Sequence, residues 1–243
     1  MEKLPHHPGA APIVSTLQTA IDQSYDPEDW GLGLPTLTGS MVTLREVGPS
    51  DARALHAALT TGDVSRFASP PPPTVDGFEK FIEAAQRRRA AGEYACFAVV
   101  PRNAEPAVGW FQVRSLEPGF KTAEWDFALA AEYWGTGVFV DGARLTLDFV
   151  FAAIGAHRLE ARVAVENGRG NGALRKIGAV RECELRGSFL HGGEYHDQRL
   201  WTILLEEWHR GCAAGASGSS ISSRTNINRG WTSASSTSNF PPT

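Results

Sequence analysis

The stretch from Thr122 to Ile177 limits the fold of this chain more than any other. It opens on a strand-like run, Ala123-Glu124-Trp125-Asp126-Phe127-Ala128-Leu129-Ala130, and turns tightly through Glu132-Tyr133-Trp134-Gly135-Thr136-Gly137. A long amphipathic segment follows, Val138 to Ile154. In it Phe139, Ala143, Leu147, Val150 and Ile154 recur at three- and four-residue spacing, with Asp141, Arg144 and Asp148 on the other side. Gly155 is placed to stop that helix, and Arg158 to Val165 alternates charged or small residues with apolar ones, as a strand does. Two strands joined through a helix imply a locally parallel pair. A strand, a glycine turn and a helix in close succession also aim main-chain N–H groups at a phosphate.

The flanking segments are of a different kind. Met41 to Arg45 alternates like a half-buried strand, and Pro49-Ser50-Asp51 starts a helix carrying Leu55, Ala58 and Leu59. No helix crosses the proline run from Pro70 to Pro73. Thr74 therefore caps a second helix, whose stripe is Phe78, Phe81, Ile82 and Ala85, while Arg87, Arg88 and Arg89 near its end read as a solvated face. Tyr94 to Val100, Ala107 to Val113 and Thr122 to Ala130 form an antiparallel meander, broken by proline- and glycine-bearing turns. In its third strand the period of two puts Glu124 and Asp126 on one face and Trp125, Phe127 and Leu129 on the core face. Beyond Val165, the loop Glu166 to Gly172 leads into a short helix with Leu174 and Ile177 that ends at Gly178. Two strands, about Ala179 to Leu185 and Tyr195 to Leu204, then close the chain as a hairpin. The expected order is β-α-α-β-β-β-α-β-α-β-β.

Composition settles the domain limits. Pro, Gly and small polar residues dominate before Leu37, and Ser, Thr, Asn and Gly dominate after Gly211, so neither flank forms a core alone. The division is an N-terminal extension (1–37), one domain (38–210) and a Ser/Gly-rich tail expected to be disordered (211–243). A net charge of -4 gives no general attraction to nucleic acid or anionic membrane. No apolar run approaches the ~20 residues of a membrane span, and the N-terminus lacks the basic start and apolar core of a signal peptide. A cytoplasmic protein is expected. Cys96, Cys183 and Cys212 lack metal-ligand spacing; the first two lie in strand-like runs and read as reduced, buried thiols. No metal is expected.

From about Met41 to Trp208 the chain resembles the GNAT superfamily of acetyl-CoA-dependent N-acetyltransferases, and within it the RimJ/RimL-like branch. The resemblance rests on Ala123-Glu124, Tyr133-Trp134-Gly135-Thr136-Gly137 and Gly155 to Val163. It continues through Glu166-Asn167, Leu174 to Ala179, Gly193, Asp197 and Trp201. It implies an α/β (α+β) fold: a mixed, mostly antiparallel central sheet with a splayed parallel strand pair and helices on both faces. It also implies acetyl-CoA as cosubstrate and an amine as acceptor, in a monomer or homodimer. The family turn that binds the CoA pyrophosphate corresponds to Trp134, Gly135, Thr136, Gly137, Val138 and Phe139. Main-chain groups of Phe127, Ala128, Leu129 and Ala130 correspond to those that pair with the pantetheine arm. Asn167 matches a family asparagine beside that arm, and a helix-capping role explains it as well.

Amide formation by direct attack needs a deprotonated amine and a stabilised oxyanion. The resemblance assigns the second task to a main-chain N–H at Phe127 or Ala128. For the first, Glu124 is the preferred general base and Asp126 the other candidate; pairing with an arginine accounts for Glu124 equally well. Gly170 and Leu174 stand where many relatives carry a serine and a tyrosine, so neither general acid carries over, and the thiolate takes its proton from water or the product ammonium. The function implied is transfer of acetyl to a primary amine, with a protein or peptide N-terminus suggested by analogy. The alternatives are a small-molecule amine (polyamine, amino sugar or antibiotic) and a non-catalytic acetyl-CoA-binding module.

Overall fold

The structure is a computed structural model in which residues 30–67, 71–102 and 104–210 are described. Its strands are β1 (Leu37–Thr38), β2 (Val42–Glu46), β3 (Tyr94–Pro101), β4 (Gly109–Ser115), β5 (Thr122–Leu129), β6 (Arg158–Ala164), β7 (Val180–His191) and β8 (Glu194–Leu204). They form one eight-stranded sheet in the order β1-β2-β3-β4-β5-β6-β8-β7. Only β5 and β6 run parallel, joined through helix α4 (Val138–Phe149). The other helices are α1 (Ala52–Leu59), α2 (Gly62–Ser65), α3 (Val75–Ala90) and α5 (Gly168–Lys176), and a helical run over 205–210 follows β8. The expected order holds, with β1, α2 and that terminal run as additions too short to leave a periodic signal.

Alternation along the central strands divides the side chains between two cores. On one face Phe97, Phe111, Trp125 and Leu159 meet Leu147 and Phe149 of α4, all buried. On the other, Tyr94, Cys96 and Trp110 meet Leu55 and Leu59 of α1 and Phe78 and Ile82 of α3. Each fully buried Phe or Ile contributes about 2 kcal/mol through removal from water. Thr74 caps α3 by accepting the Gly77 N–H at 3.1 Å, as its position before the apolar stripe predicts. The last turn of α4 widens over Val150–Ile154 and stops at Gly155, whose φ of 76° is left-handed.

Three expectations are corrected. The closing hairpin is longer than the sequence pattern suggests: Arg186-Gly187-Ser188 looks like a loop, but a register shift between Leu185 and Phe189 absorbs it into β7. Gly187, at φ 56°, donates its N–H to Asp197 at 2.7 Å, and the tight turn lies farther on at Gly192-Gly193. The described end of the extension lies on the domain surface: Trp30 meets Phe120 edge-on at 5.6 Å, and Leu37 is fully buried. The arginines closing α3 are more than a solvated face. Arg89 pairs with Glu46 at 2.6 Å and Arg88 lies over the Tyr94 ring at 4.4 Å; Arg87 is exposed. Cys96 is buried as expected while Cys183 is exposed; Cys212 and the 211–243 tail lie outside the described residues. No described helix is long and apolar enough to cross a membrane.

Candidate active site

The parallel pair parts at its centre. β5 and β6 are in register at Thr122↔Arg158, Ala123↔Leu159 and Glu124↔Glu160. Beyond Glu124, β6 stays with β8 as far as Ala164, while β5 stays with β4 as far as Leu129. Each strand follows its antiparallel partner, so a gap opens between them. Alternation decides which groups face it. Thr122 accepts the Leu116 N–H and Ala130 donates to Val108, both on the β4 side, whereas the Lys121 carbonyl receives His157 and Arg158 on the β6 side. Phe127 and Leu129 therefore turn their main-chain groups to the gap. Ala128 directs its groups to β4, and Ala130 gives its N–H to Val108 and its carbonyl to the Tyr133 N–H, so of the four residues expected to pair with pantetheine Phe127 and Leu129 are the two facing the gap. The Leu129 carbonyl also accepts the Trp134 indole N–H at 2.9 Å.

Beside the gap stands the N-terminus of α4. Gly135 and Gly137 have φ of 76° and 97°, a region closed to most side chains, and no side chain caps the helix. Its first-turn N–H groups and its dipole meet the requirements of a pyrophosphate. Thr136 braces the turn by donating to the Tyr133 carbonyl at 2.7 Å, and Val138 opens the helix. Phe139 sends its ring inward, 4.6 Å from that of Phe127 and 5.8 Å from that of Phe111, so a large residue is accommodated there as core. Asp141 in the first turn is an unfavourable neighbour for an anion. It is occupied instead by the N–H groups of Met41 (2.8 Å) and Val42 (3.1 Å), which outweigh desolvation and hold its pKa low. Arg169 lies 3.8 Å over the Trp134 ring, bringing a cation to the same turn.

The two candidate bases have different surroundings. Glu124 is mostly buried, paired with Arg114 and lying 3.6 Å from Arg162, in a row of charges that continues through Glu160 and Arg158 to Glu182. Asp126 forms no ion pair among the described residues. Its side chain is exposed on the sheet face that also carries Gln112. Desolvation, with a smaller push from Glu124, raises its pKa to about 6 against the lowering effects of the Phe127 N–H and Arg114. The residue with a perturbed proton is thus the one beside the gap-facing N–H.

Asn167 caps α5, its side-chain oxygen accepting the Gly170 N–H at 2.8 Å. The residue that anchors this loop, Asn171, escaped the sequence reading because it looks like a polar position on a glycine-rich helix. Its side chain donates to the Asn167 and Ala164 carbonyls at 2.7 and 2.9 Å and accepts the Trp201 indole N–H at 2.9 Å. The strand register, which no sequence period reveals, also sets Gln112 opposite Asp126. Toward the carboxyl end of β5 a groove of about 350 Å³ runs between Ala54, Ala57 and Ala58 of α1 and Ala130 and Ala131, with Asp63 and Glu132 among its walls. No group of three metal-ligating side chains occurs among the described residues.

A sheet edge opened for an extended ligand, next to an uncapped helix N-terminus, is the architecture of a CoA-dependent acyltransferase. The acetyltransferase (GNAT) domain matches residues 41–180, and the chain belongs to that family of acetyl-CoA-dependent N-acetyltransferases. It is 22% identical over 173 residues to the uncharacterized N-acetyltransferase YoaA of Bacillus subtilis, covering 70% of this chain and 97% of that one. It is 26% identical over 172 residues to the spermidine N(1)-acetyltransferase of Escherichia coli, covering 69% and 88%. In fold it is similar to Mycobacterium smegmatis RimJ in complex with CoA-disulfide, with a TM-score of 0.65, 23% identity and coverage of 72% and 89%.

Proposed function

We propose that this enzyme acetylates a primary amine by direct attack within a ternary complex, with Asp126 as the general base and a peptide or protein N-terminus as the acceptor. The observation that carries the proposal is the Asp126 carboxyl: without an ion pair among the described residues, with a pKa raised to about 6, and adjacent to the gap-facing N–H of Phe127. A base that ionises just below neutral pH accepts a proton from an ammonium while remaining mostly charged. The freed amine attacks the thioester carbonyl, whose oxygen becomes negative beside the Phe127 N–H, a donor it shares with the Asp126 carboxyl. As the tetrahedral adduct collapses, its nitrogen gives up a proton to water to leave the amide, and the expelled CoA thiolate takes one from water. Trp134 to Phe139 hold the pyrophosphate in this reading, and Asn167 orders the loop beside the pantetheine.

An open groove admits the end of an extended chain, which favours a peptide terminus. A second reading, an aliphatic polyamine, is favoured by Asp63 and Glu132 beside alanine walls and by the similarity to a spermidine acetyltransferase. Release of CoA thiol from acetyl-CoA is the test, with peptides of varied N-terminal residue in one pool and spermidine, amino sugars and aminoglycosides in others. Release with peptides alone supports the N-terminal acceptor; release with polyamines alone replaces it. Silence in every pool from protein that binds acetyl-CoA would favour a binding module.

A further inference from the structure

We infer that Asp141 is a positioning residue for the cofactor: it locks the turn between β1 and β2 against the start of α4, and so fixes the seat of the pyrophosphate. The inference rests on the proposed placement of that group at Trp134 to Phe139. Asp141 lies in the first turn of α4, whose cap is Gly137. Its Oδ2 accepts the N–H groups of Met41 at 2.8 Å and Val42 at 3.1 Å, and its Oδ1 accepts the Ser40 hydroxyl at 2.9 Å. Donors from three consecutive residues thus converge on one carboxylate. The fit leaves no room for a side chain at Gly39, where a Cβ would overlap that carboxylate. Met41 completes the contact at the helix cap itself, its sulfur filling the space that a Cβ on Gly137 would need.

The β1–β2 turn is itself held from the sheet. Gly39 donates its N–H to the Val42 carbonyl at 2.8 Å, and the Met41 carbonyl accepts the Arg102 N–H at 2.9 Å, just beyond β3. On the helix, Gly142 lets α4 lie close on the sheet, since a Cβ there would meet the Phe111 ring at 2.6 Å. The helix start is therefore fixed to β2 through Asp141 and to β4 through Gly142. A free carboxylate in a first helical turn is drawn to the N–H groups at the helix end, where it would compete with a pyrophosphate and repel it. Here both oxygens are engaged on the strand side, and Gly137 brings no capping side chain. Removing the carboxylate then has two effects of opposite sign. Loss of a negative charge favours a bound anion, whereas loss of the clamp frees the turn and the helix start. A fall in affinity therefore reports the clamp.

The test is isothermal titration of CoA into the wild type, Asp141→Ala, Ser40→Ala and Gly137→Ala. Beside it, kcat/KM is measured with a reactive amine from the pools above for two donors, acetyl-CoA and S-acetylpantetheine, which ends before the pyrophosphate. Asp141→Ala should raise the Kd for CoA about tenfold. Ser40→Ala, which removes one donor at an exposed position and is the safer variant for folding, should raise it about threefold. The value of kcat/KM should fall by the same factors with acetyl-CoA and by less than about twofold with S-acetylpantetheine, whereas a general loss of structure would lower both. If folded Asp141→Ala and Ser40→Ala bind CoA as tightly as the wild type, or more tightly, while Gly137→Ala binds it weakly, the inference is overturned and the pyrophosphate seat stands. Equal losses with the two donors also overturn it. If Gly137→Ala keeps its affinity for CoA, the seat itself has failed.

Discussion

Trp201 on β8 donates its indole N–H to the side-chain oxygen of Asn171 on α5 at 2.9 Å, and both residues are almost wholly buried. Asn171 also reaches back to the carbonyls of Asn167 and Ala164. One amide thus ties the closing hairpin, the short helix and the Asn167 loop together. Asn171→Ala strands the buried Trp201 indole N–H, while the Ala164 and Asn167 carbonyls keep the backbone N–H groups of Asn167 and Asn171, so the cost should be about 2 kcal/mol. Urea denaturation reads this directly. A loss below about 1 kcal/mol would mean that the hub bears little of the loop's stability.

Asp126 links stability and activity with opposite signs. Its folded pKa of about 6 lies above its ordinary value of 3.8. The folded state therefore binds the proton more tightly, and the contribution of this group to stability, full below about pH 4, is lost as pH rises through 6. Asp126→Asn should raise the melting temperature at pH 7.5, with the gain vanishing near pH 4. The same variant should lower kcat by about a hundredfold and flatten the acid limb. A melting temperature that falls at pH 7.5 would contradict the account.

Glu124→Gln separates the two acids. Glu124 raises the Asp126 pKa, so removing its charge should move the acid limb of kcat/KM to lower pH, while the maximal rate changes less than about threefold. Stability should fall by about 1 kcal/mol through loss of the partners Arg114 and Arg162. Disappearance of the limb would return the role of base to Glu124.

Gly137 opens α4 at φ 97°, and a Cβ there would lie 2.8 Å from the Met41 sulfur. Gly137→Ala strains the turn by about 1–2 kcal/mol and displaces the N–H groups at the helix start. The KM for acetyl-CoA should rise at least tenfold with the acceptor KM nearly unchanged. Isothermal titration with CoA checks the first half, and an unaltered Kd would remove this turn from pyrophosphate binding.

Much of this architecture was legible in the chain. The period of two through β5 and the three- and four-residue spacing through α4 report on local geometry, and each held within a few residues. Where the hairpin ran on through Gly187, local signals misled, because a bulge and an ordinary loop use the same residues. The site was legible only in part. The glycine turn from Trp134 to Phe139 is contiguous, so its position before α4 was readable, whereas the relation between Gln112 and Asp126 depends on the register of two strands. The ion pairing of Glu124 with Arg114 and Arg162 depends on three strands. Pairing across a sheet leaves no periodic trace in either strand, so the different surroundings of the two acids appear only in the structure.

Direct attack is the central claim, and initial rates of CoA release with acetyl-CoA and the reactive amine both varied test it most directly. A ternary complex predicts double-reciprocal lines that intersect. Parallel lines, together with an acetylated form of the protein when acetyl-CoA is supplied alone, would show that a side chain carries the acetyl group and would contradict the account.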